Sequence, residues 1–145
     1  MWRSAWKARS GSGNLTGANA PKLHKVLSPE QILALQELVR RVPVPDHVVR
    51  HAVDLVRHTR PKESTAPDFI RRHVSWGAGP RASQYLVLGA KARAVLQGRY
   101  AASVEDVRAL AQPVLRHRVL PNFSAESEGI TAEQLVQQVL ELVKP

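Results

Sequence analysis

The segment Gly77–Ala82, which reads GAGPRA, holds the residues whose types and spacing best suit a binding reaction. Pro80 fits the first position of a helix, because its missing N–H would be unpaired there in any case. Arg81 then falls in the first turn, where unpaired N–H groups and the helix dipole favour anions. Its guanidinium is always protonated and carries five donors, which suits phosphate oxygens. The segment predicts one of two structures. Either Arg81 contacts a phosphate, with Gly79 and Pro80 forming the turn that leads to it, or the segment is an ordinary Gly-Pro turn with a surface arginine.

A second group of polar residues has spacing that could present metal ligands. His47 and His51 are four residues apart on a predicted helix, with Asp54 and His58 along the same strip. This is how a helix offers two imidazoles to zinc. The chain has no HExxH motif and no evident fourth ligand from another element. Because the strip also borders the apolar face, where a polar flank is expected, we predict no metal site there.

Groups that could support catalysis by this chain alone are scarce. The sequence has no Gly-x-Ser-x-Gly elbow, no distinctive pair of carboxylates and no phosphate loop of the form GxxxxGK[ST]. The absence of cysteine also excludes disulfides, thiolate catalysis and cysteine-based zinc sites. We therefore predict that the chain is not an enzyme on its own.

Composition favours a single helical domain with a basic surface. A chain of 145 residues that is 43% hydrophobic and 5% aromatic can bury one modest core, made of helices rather than a β-sandwich. The net charge of +9 raises the alternative of a small basic helical protein that binds nucleic acid. The positive charge lies in residues 1–25 and 40–118, whereas residues 119–145 are net negative. No apolar run approaches the roughly 18 residues of a membrane span.

Residues 1–22 are predicted to be a disordered basic leader, followed by a helical domain over residues 23–145. The leader is rich in Gly, Ser, Asn and basic residues and has no sustained apolar period. Trp2 and Trp6 among basic residues could form one amphipathic turn, and the segment superficially resembles a transit peptide. A flexible leader is the interpretation that we prefer.

Apolar periodicity and capping residues predict about five main helices and one short helix. Helix starts are indicated by Ser28 with Gln31, Ser103 with Asp106, and Thr131 with Gln134. The predicted elements are residues 29–42, 45–59, 67–73 (short), 80–97 and two further helices that begin after residues 103 and 131. Pro113 should kink the fifth of these elements or end it early. No pair of strands is predicted, so the expected fold is an all-α helical bundle.

Several motifs, taken together, resemble the C-terminal helical lid of MoxR-type AAA+ ATPases. They are WGAGPRAS (residues 76–83), AKARA (90–94), GRY (98–100), VEDV (104–107), VLRHR (114–118) and NF (122–123). Upstream, LSPEQIL (27–33), VPV (42–44), DHVV (46–49) and TRP (59–61) resemble the same family's entry into the lid. The resemblance covers roughly residues 23–143.

This resemblance implies a role in ATP sensing. Arg81 falls on the family's sensor-2 arginine, which reaches from the lid toward the γ-phosphate of ATP. The family's α/β nucleotide-binding core, with its phosphate loop and Mg²⁺ motif, is not in this sequence. ATP and Mg²⁺ are therefore expected to bind only in the context of a full-length ATPase. The expected location is the cytoplasm.

The family also implies partners and a broader role. The implied partners are an ATPase core, neighbouring subunits of a homo-oligomeric ring, and proteins with von Willebrand factor A domains. The implied role is chaperone-like maturation of complexes. Arg116, His117 and Arg118 are either an interface in such an assembly or a basic helix end that complements the dipole. His117 could also be a packed structural histidine. A further alternative is an interaction module that binds an intact ATPase ring.

Overall fold

The computed structural model describes residues 25–144. Seven helices and two short strands follow one another in these residues. The helices are α1 (Pro29–Arg41), α2 (Asp46–His58), α3 (Asp68–His73), α4 (Pro80–Leu96), α5 (Val104–Leu115), α6 (Phe123–Ser127) and α7 (Ala132–Leu142), and the strands are β1 (Val74–Trp76) and β2 (Leu120–Pro121). The predicted leader (residues 1–22) lies outside the described residues, and the domain boundary at residue 23 stays a prediction.

One apolar core is built from the inward faces of α2, α4, α5 and α7. These faces repeat with the helical period, as expected for helices that bury one stripe each. Its fully buried side chains include Val48, Ala52, Leu55 and Val56 of α2, Leu86 of α4, Val107, Ala111 and Leu115 of α5, and Val136 and Val139 of α7. The apolar periodicity that predicts these helices therefore marks the faces that they bury.

Small residues let α4 approach its neighbours closely. Ala82, Ala90 and Ala94 are completely or almost completely buried. A Cβ built at Gly89 would lie 2.7 Å from Cδ1 of Leu110, a residue of α5. Larger side chains at these positions would force the two helices apart. The small residues of α4 therefore allow it to pack closely in the core.

Local sequence signals set most helix boundaries. Each predicted capping box forms, so that a hydroxyl and a side chain three residues later satisfy otherwise unpaired N–H groups. The pairs are Ser28 with Gln31, Ser103 with Asp106, and Thr131 with Gln134. Gly98, with φ of 68°, follows the end of α4, where glycine adopts the left-handed conformation without strain. Pro113 lies inside α5, which ends soon after it at Leu115.

The prediction that no strands pair is wrong. β1 and β2 form a small antiparallel sheet in which Val74 lies opposite Pro121 and Trp76 opposite Leu120. Strands of three and two residues are too short to show a period of two, so the sequence gives no signal for them. The short helix α6 was not predicted either, although Asn122 caps it by accepting a hydrogen bond from the Ala125 N–H at 3.1 Å.

Helix α1 has the predicted apolar stripe but buries none of its residues. The exposed fractions of Ile32, Leu35 and Leu38 are 44%, 43% and 49%. The chain divides into two compact units after Ala34, within α1, and the unit that begins at Leu35 contains the core. None of the helices in residues 25–144 has the length and apolar character needed to cross a membrane.

Candidate functional site

The GAGPRA segment spans the turn between β1 and α4 and the first three residues of α4. Gly79 is the N-cap of α4, with extended backbone angles (φ −78°, ψ 173°), and Pro80 is the first helical residue. The fixed φ of proline is already suited to a helix, so it helps to set the direction in which α4 leaves the turn. Arg81 is the second residue of α4, and its side chain is exposed. The predicted placement of Arg81 in the first turn is therefore confirmed.

The positive charge at this end of α4 comes mainly from the Arg81 side chain. Pro80 has no N–H, and the Ala82 N–H already donates to the Gly79 carbonyl oxygen at 3.0 Å. Fewer backbone donors are therefore free at the start of α4 than at a typical helix start. Within residues 25–144, Arg81 takes part in none of the ion pairs. Its guanidinium is accessible to an anion from outside this part of the chain.

Two residues that follow α2 hold the turn in place. The Ala78 N–H donates to the Thr59 hydroxyl oxygen at 3.0 Å, and the Arg60 Nε donates to the Ala78 carbonyl oxygen at 2.8 Å. The Thr59 hydroxyl in turn donates to the Val56 carbonyl oxygen at 2.7 Å. Ala78 and Thr59 are both buried. Side chains thus satisfy both backbone polar groups of a buried turn residue, which would otherwise cost free energy.

The two glycines of the turn have different structural roles. A Cβ at Gly77 would lie 2.2 Å from the Thr59 carbonyl oxygen and 2.7 Å from the Arg60 Cα. Both contacts are with backbone, which cannot move aside cheaply. At Gly79, nothing lies within 4 Å of such a Cβ. Close approach to the end of α2 therefore requires glycine at position 77 but not at position 79.

A cavity of about 300 Å³ lies beside the turn. It is lined by Arg60, Pro61 and Lys62 on one side and by Ser75–Pro80 on the other. Trp76 belongs to this lining and is 69% exposed. Lys62 and the accessible aromatic side chain suit a ligand that has both negative charge and flat apolar surface, whereas the Arg60 guanidinium is already bonded to Ala78 and paired with Glu63.

The predicted interface cluster lies directly after α5. Arg116, the C-cap of that helix, and His117 are exposed. Arg118 is half-buried. Its Nη1 donates to the Val114 carbonyl oxygen at 2.6 Å, and its guanidinium carbon lies 5.1 Å from the centre of the Tyr85 ring. Arg118 also contacts the His117 ring. The alternative that His117 is a packed structural histidine is wrong, because its side chain lies at the surface.

Arg118 lies close to the start of α4, the helix that carries Arg81. Tyr85 follows Arg81 by four residues on α4, and residues four apart lie on the same side of a helix. The Arg118 guanidinium lies over Tyr85, one helical turn from Arg81. Of the second group of candidate residues, Arg118 therefore lies beside the start of α4.

The histidine strip on α2 is divided between core and surface. Among residues 25–144, no group of three or more His, Asp and Glu side chains is arranged to hold a metal ion. His51 is buried, and both this burial and the charge of Arg108 lower its pKa. His47 is exposed, while His58 donates from Nδ1 to the Asp54 carbonyl oxygen at 2.7 Å.

Sequence reasoning did not assign a role to Thr59 or Arg60. The only signal was the tripeptide TRP at residues 59–61, which marks the family resemblance without saying what it contacts. Ala78, the residue that they hold, lies 19 positions after Thr59. A contact over that distance along the chain becomes visible only in the folded structure.

Comparison with known proteins supports the same family. Residues 69–139 match the model described as AAA lid domain. The chain is 31% identical to the chaperone MoxR1 of Mycobacterium tuberculosis over 127 residues, which are 88% of this chain and 34% of the relative. It is 32% identical to the uncharacterized protein YeaC of Bacillus subtilis over 122 residues, 84% of this chain and 35% of the relative. The chain thus spans about a third of the length of these two relatives.

Two further comparisons concern shorter or more distant similarity. Protein MoxR of Paracoccus denitrificans is 46% identical over 61 residues, 41% of this chain and 18% of that protein. The crystal structure of a candidate ATPase from Cytophaga hutchinsonii superposes with a TM-score of 0.78 at 24% identity, covering 97% of this chain and 42% of the other, which supports the fold alone. Residues 69–139 therefore match a AAA lid domain, and the chain is similar over most of its length to the chaperone MoxR1 and to YeaC.

Proposed function

We propose that this chain acts as the lid of a MoxR-type AAA+ ATPase and that Arg81 is its sensor-2 arginine. The observation that carries the proposal is the position of Arg81 on the first turn of α4, after the Gly79–Pro80 approach, inside the region that matches a AAA lid domain. Its side chain is exposed and outside the ion pairs of the described residues. It is therefore available to a ligand or to a second protein surface.

The chemistry of Arg81 suits a triphosphate. A planar guanidinium can donate two parallel hydrogen bonds to phosphate oxygens, whereas an ammonium acts as a point charge. In phosphoryl transfer, such a donor stabilises the negative charge that develops on the transferred group. ATP and Mg²⁺ would be held mainly by a nucleotide-binding core. This chain would contribute Arg81, and Arg60 and Lys62 line the neighbouring cavity.

A lid that moves with nucleotide state would also transmit that state to other subunits. We assign this contact to the exposed residues Arg116 and His117, which precede Arg118, the residue whose guanidinium lies over Tyr85 of α4. The partners would be an ATPase core, neighbouring subunits of a homo-oligomeric ring, or proteins with von Willebrand factor A domains. The setting would be chaperone-like work in the cytoplasm. The same surface would serve if the chain bound to a separate ATPase ring.

The test joins this chain to the nucleotide-binding core of a MoxR-type relative and measures ATP turnover. Arg81→Ala should lower kcat by about a hundredfold, the usual cost of removing one donor to developing charge. Arg81→Lys should also be poor, because the ammonium cannot make the forked contact. Arg50→Ala is the matched control, since Arg50 is an exposed arginine on α2.

Arg93, on the same helix as Arg81, is not a suitable control. Its Nε lies 3.2 Å from Oδ1 of the buried Asp106, so its removal would disturb the fold. Equal turnover by the parent, Arg81→Ala and Arg81→Lys would make Arg81 an ordinary residue at a helix start. A parent fusion that hydrolyses no ATP would contradict the lid assignment as a whole.

A further inference from the structure

We propose that Thr59 and Arg60 are positioning residues for Arg81, because they fix the turn from which α4 begins. The inference rests on the proposed function, since it assigns a task to residues that do not themselves touch nucleotide. It concerns a contact between the end of α2 and the turn before α4. Thr59 and Arg60 act on one residue of that turn, Ala78.

The contact has two points on opposite sides of one residue. Thr59 accepts from the Ala78 N–H at 3.0 Å, and Arg60 donates to the Ala78 carbonyl oxygen at 2.8 Å. With both bonds in place, neither peptide group that flanks Ala78 can rotate without losing a partner. The buried hydroxyl of Thr59 is itself oriented, because it donates to the Val56 carbonyl oxygen at 2.7 Å. The turn is thereby tied to the last turn of a core helix.

The rest of the turn carries this constraint to Arg81. Gly77 lies so close to Thr59 that a Cβ there would be 2.2 Å from its carbonyl oxygen, which fixes the chain before Ala78. After Ala78, only Gly79 separates the fixed residue from Pro80, whose ring restricts φ. The start of α4 therefore has few remaining degrees of freedom. Productive contact with a phosphate tolerates displacements of less than about 1 Å, so this rigidity matters for Arg81.

Glu63 forms ion pairs with both Arg60 and Arg57, so Arg57 can serve as a matched control for Arg60. Its two carboxylate oxygens lie 3.3 Å from Arg60 Nη1 and 3.3 Å from Arg57 Nη2. Both arginines thus share one acid at the same distance, but Arg60 also donates to Ala78. Arg57→Ala removes one of the two pairs with Glu63 and leaves the turn bonded. Any effect that Arg60→Ala shows beyond Arg57→Ala belongs to the turn.

The first measurement uses this chain alone and follows hydrogen exchange of the Ala78 amide by NMR. Thr59→Val keeps the shape of the side chain and removes the acceptor, so exchange should become about tenfold faster or more. Thr59→Ser, which keeps the hydroxyl, should restore slow exchange. Arg60→Ala should also speed exchange, and Arg57→Ala should not. The amide of Ala111 in the core of α5 reports whether the fold as a whole has loosened.

The second measurement uses the fusion with a nucleotide-binding core. Thr59→Val should lower kcat by about tenfold with little change in KM for ATP, and Thr59→Ser should recover it. If Thr59 acts through Arg81, the double variant Thr59→Val/Arg81→Ala should turn over ATP as slowly as Arg81→Ala alone. Losses that multiply in the double variant would overturn the proposal.

The outcomes separate this inference from the proposed function. Unchanged exchange at Ala78 in Thr59→Val and in Arg60→Ala would show that the contact does not hold the turn. Faster exchange together with full turnover by Arg81→Ala would mean that the contact holds the turn but that Arg81 is not the sensor. If Thr59→Val does not fold, Arg60→Ala, compared with Arg57→Ala, gives the same test at a partly exposed residue.

Discussion

Asp106 is a buried carboxylate that receives hydrogen bonds from Ser103 and Arg99 and forms an ion pair with Arg93. The N–H of Ser103 donates to it at 2.9 Å, Arg99 donates from Nη1 at 2.8 Å, and Arg93 of α4 lies 3.2 Å away. Burial by itself would raise the pKa of Asp106, but the hydrogen bonds from Arg99 and Ser103 outweigh it and hold the pKa below its usual range. Arg93 and Arg99 therefore stabilise the fold around Asp106, which is a different role from the one proposed for Arg81.

His51 leads to a prediction about pH. Burial and the charge of Arg108 lower its pKa below the ordinary value of 6.5. Below that pH the unfolded chain binds a proton that the folded chain does not, so stability falls as the pH falls, by at most about 1.4 kcal/mol per pH unit. His51→Leu should weaken this loss between pH 7 and pH 5, as measured by urea unfolding at a series of pH values.

His47 supplies the control for this prediction, since it lies on the same helix and is exposed. His47→Leu should leave the slope of stability against pH close to that of the parent. Identical slopes for the parent and His51→Leu would show that His51 titrates in the folded chain much as it does in the unfolded one.

At the scale of elements, patterns that repeat along the chain were predictable and isolated contacts were not. The apolar stripes of α2, α5 and α7 and the three capping boxes all depend on residues within one helix, so they could be read from spacing. The β1–β2 pair joins short segments that meet only in the fold. For the same reason, the sequence indicated Arg81 as a candidate but not Thr59 or Arg60, whose partner lies well beyond α2.

The turn before α4 allows a comparison of two glycines, separated by one residue, through the same substitution. Gly77→Ala would place its Cβ 2.2 Å from the Thr59 carbonyl oxygen. It should destabilise the chain by about 1–3 kcal/mol, as overpacking usually does. Gly79→Ala meets no atom within 4 Å and keeps backbone angles that alanine adopts, so it should change stability by less than about 0.5 kcal/mol. Urea unfolding of both variants would measure the difference, and equal stabilities would mean that the turn can move away from α2.

At the scale of the whole molecule, the described residues offer a nucleotide the exposed Arg81 and a nearby cavity. Both lie beside the turn that Thr59 and Arg60 hold in place. The features that a phosphate requires from its other side, a backbone cradle and a metal site, are not among the motifs of this sequence. The chain spans about a third of the length of its relatives MoxR1 and YeaC. The alternative of a nucleic-acid-binding protein has only the net charge in its favour, since α4 is lined by small residues and presents no row of base-reading side chains.

The isolated chain should therefore neither bind ATP tightly nor hydrolyse it. A charge-assisted contact from Arg81 contributes about 1.5–3 kcal/mol, whereas even millimolar affinity requires about 4 kcal/mol. Titration calorimetry with Mg²⁺ and ATP should show no site tighter than about 1 mM, and purified chain should release no phosphate above the buffer. The Arg81→Ala variant, measured in parallel, should be indistinguishable from the parent in both assays. A low-micromolar site, or turnover that survives rigorous purification and is unaffected by Arg81→Ala, would mean that the chain carries nucleotide chemistry elsewhere and that the assignment of Arg81 is wrong.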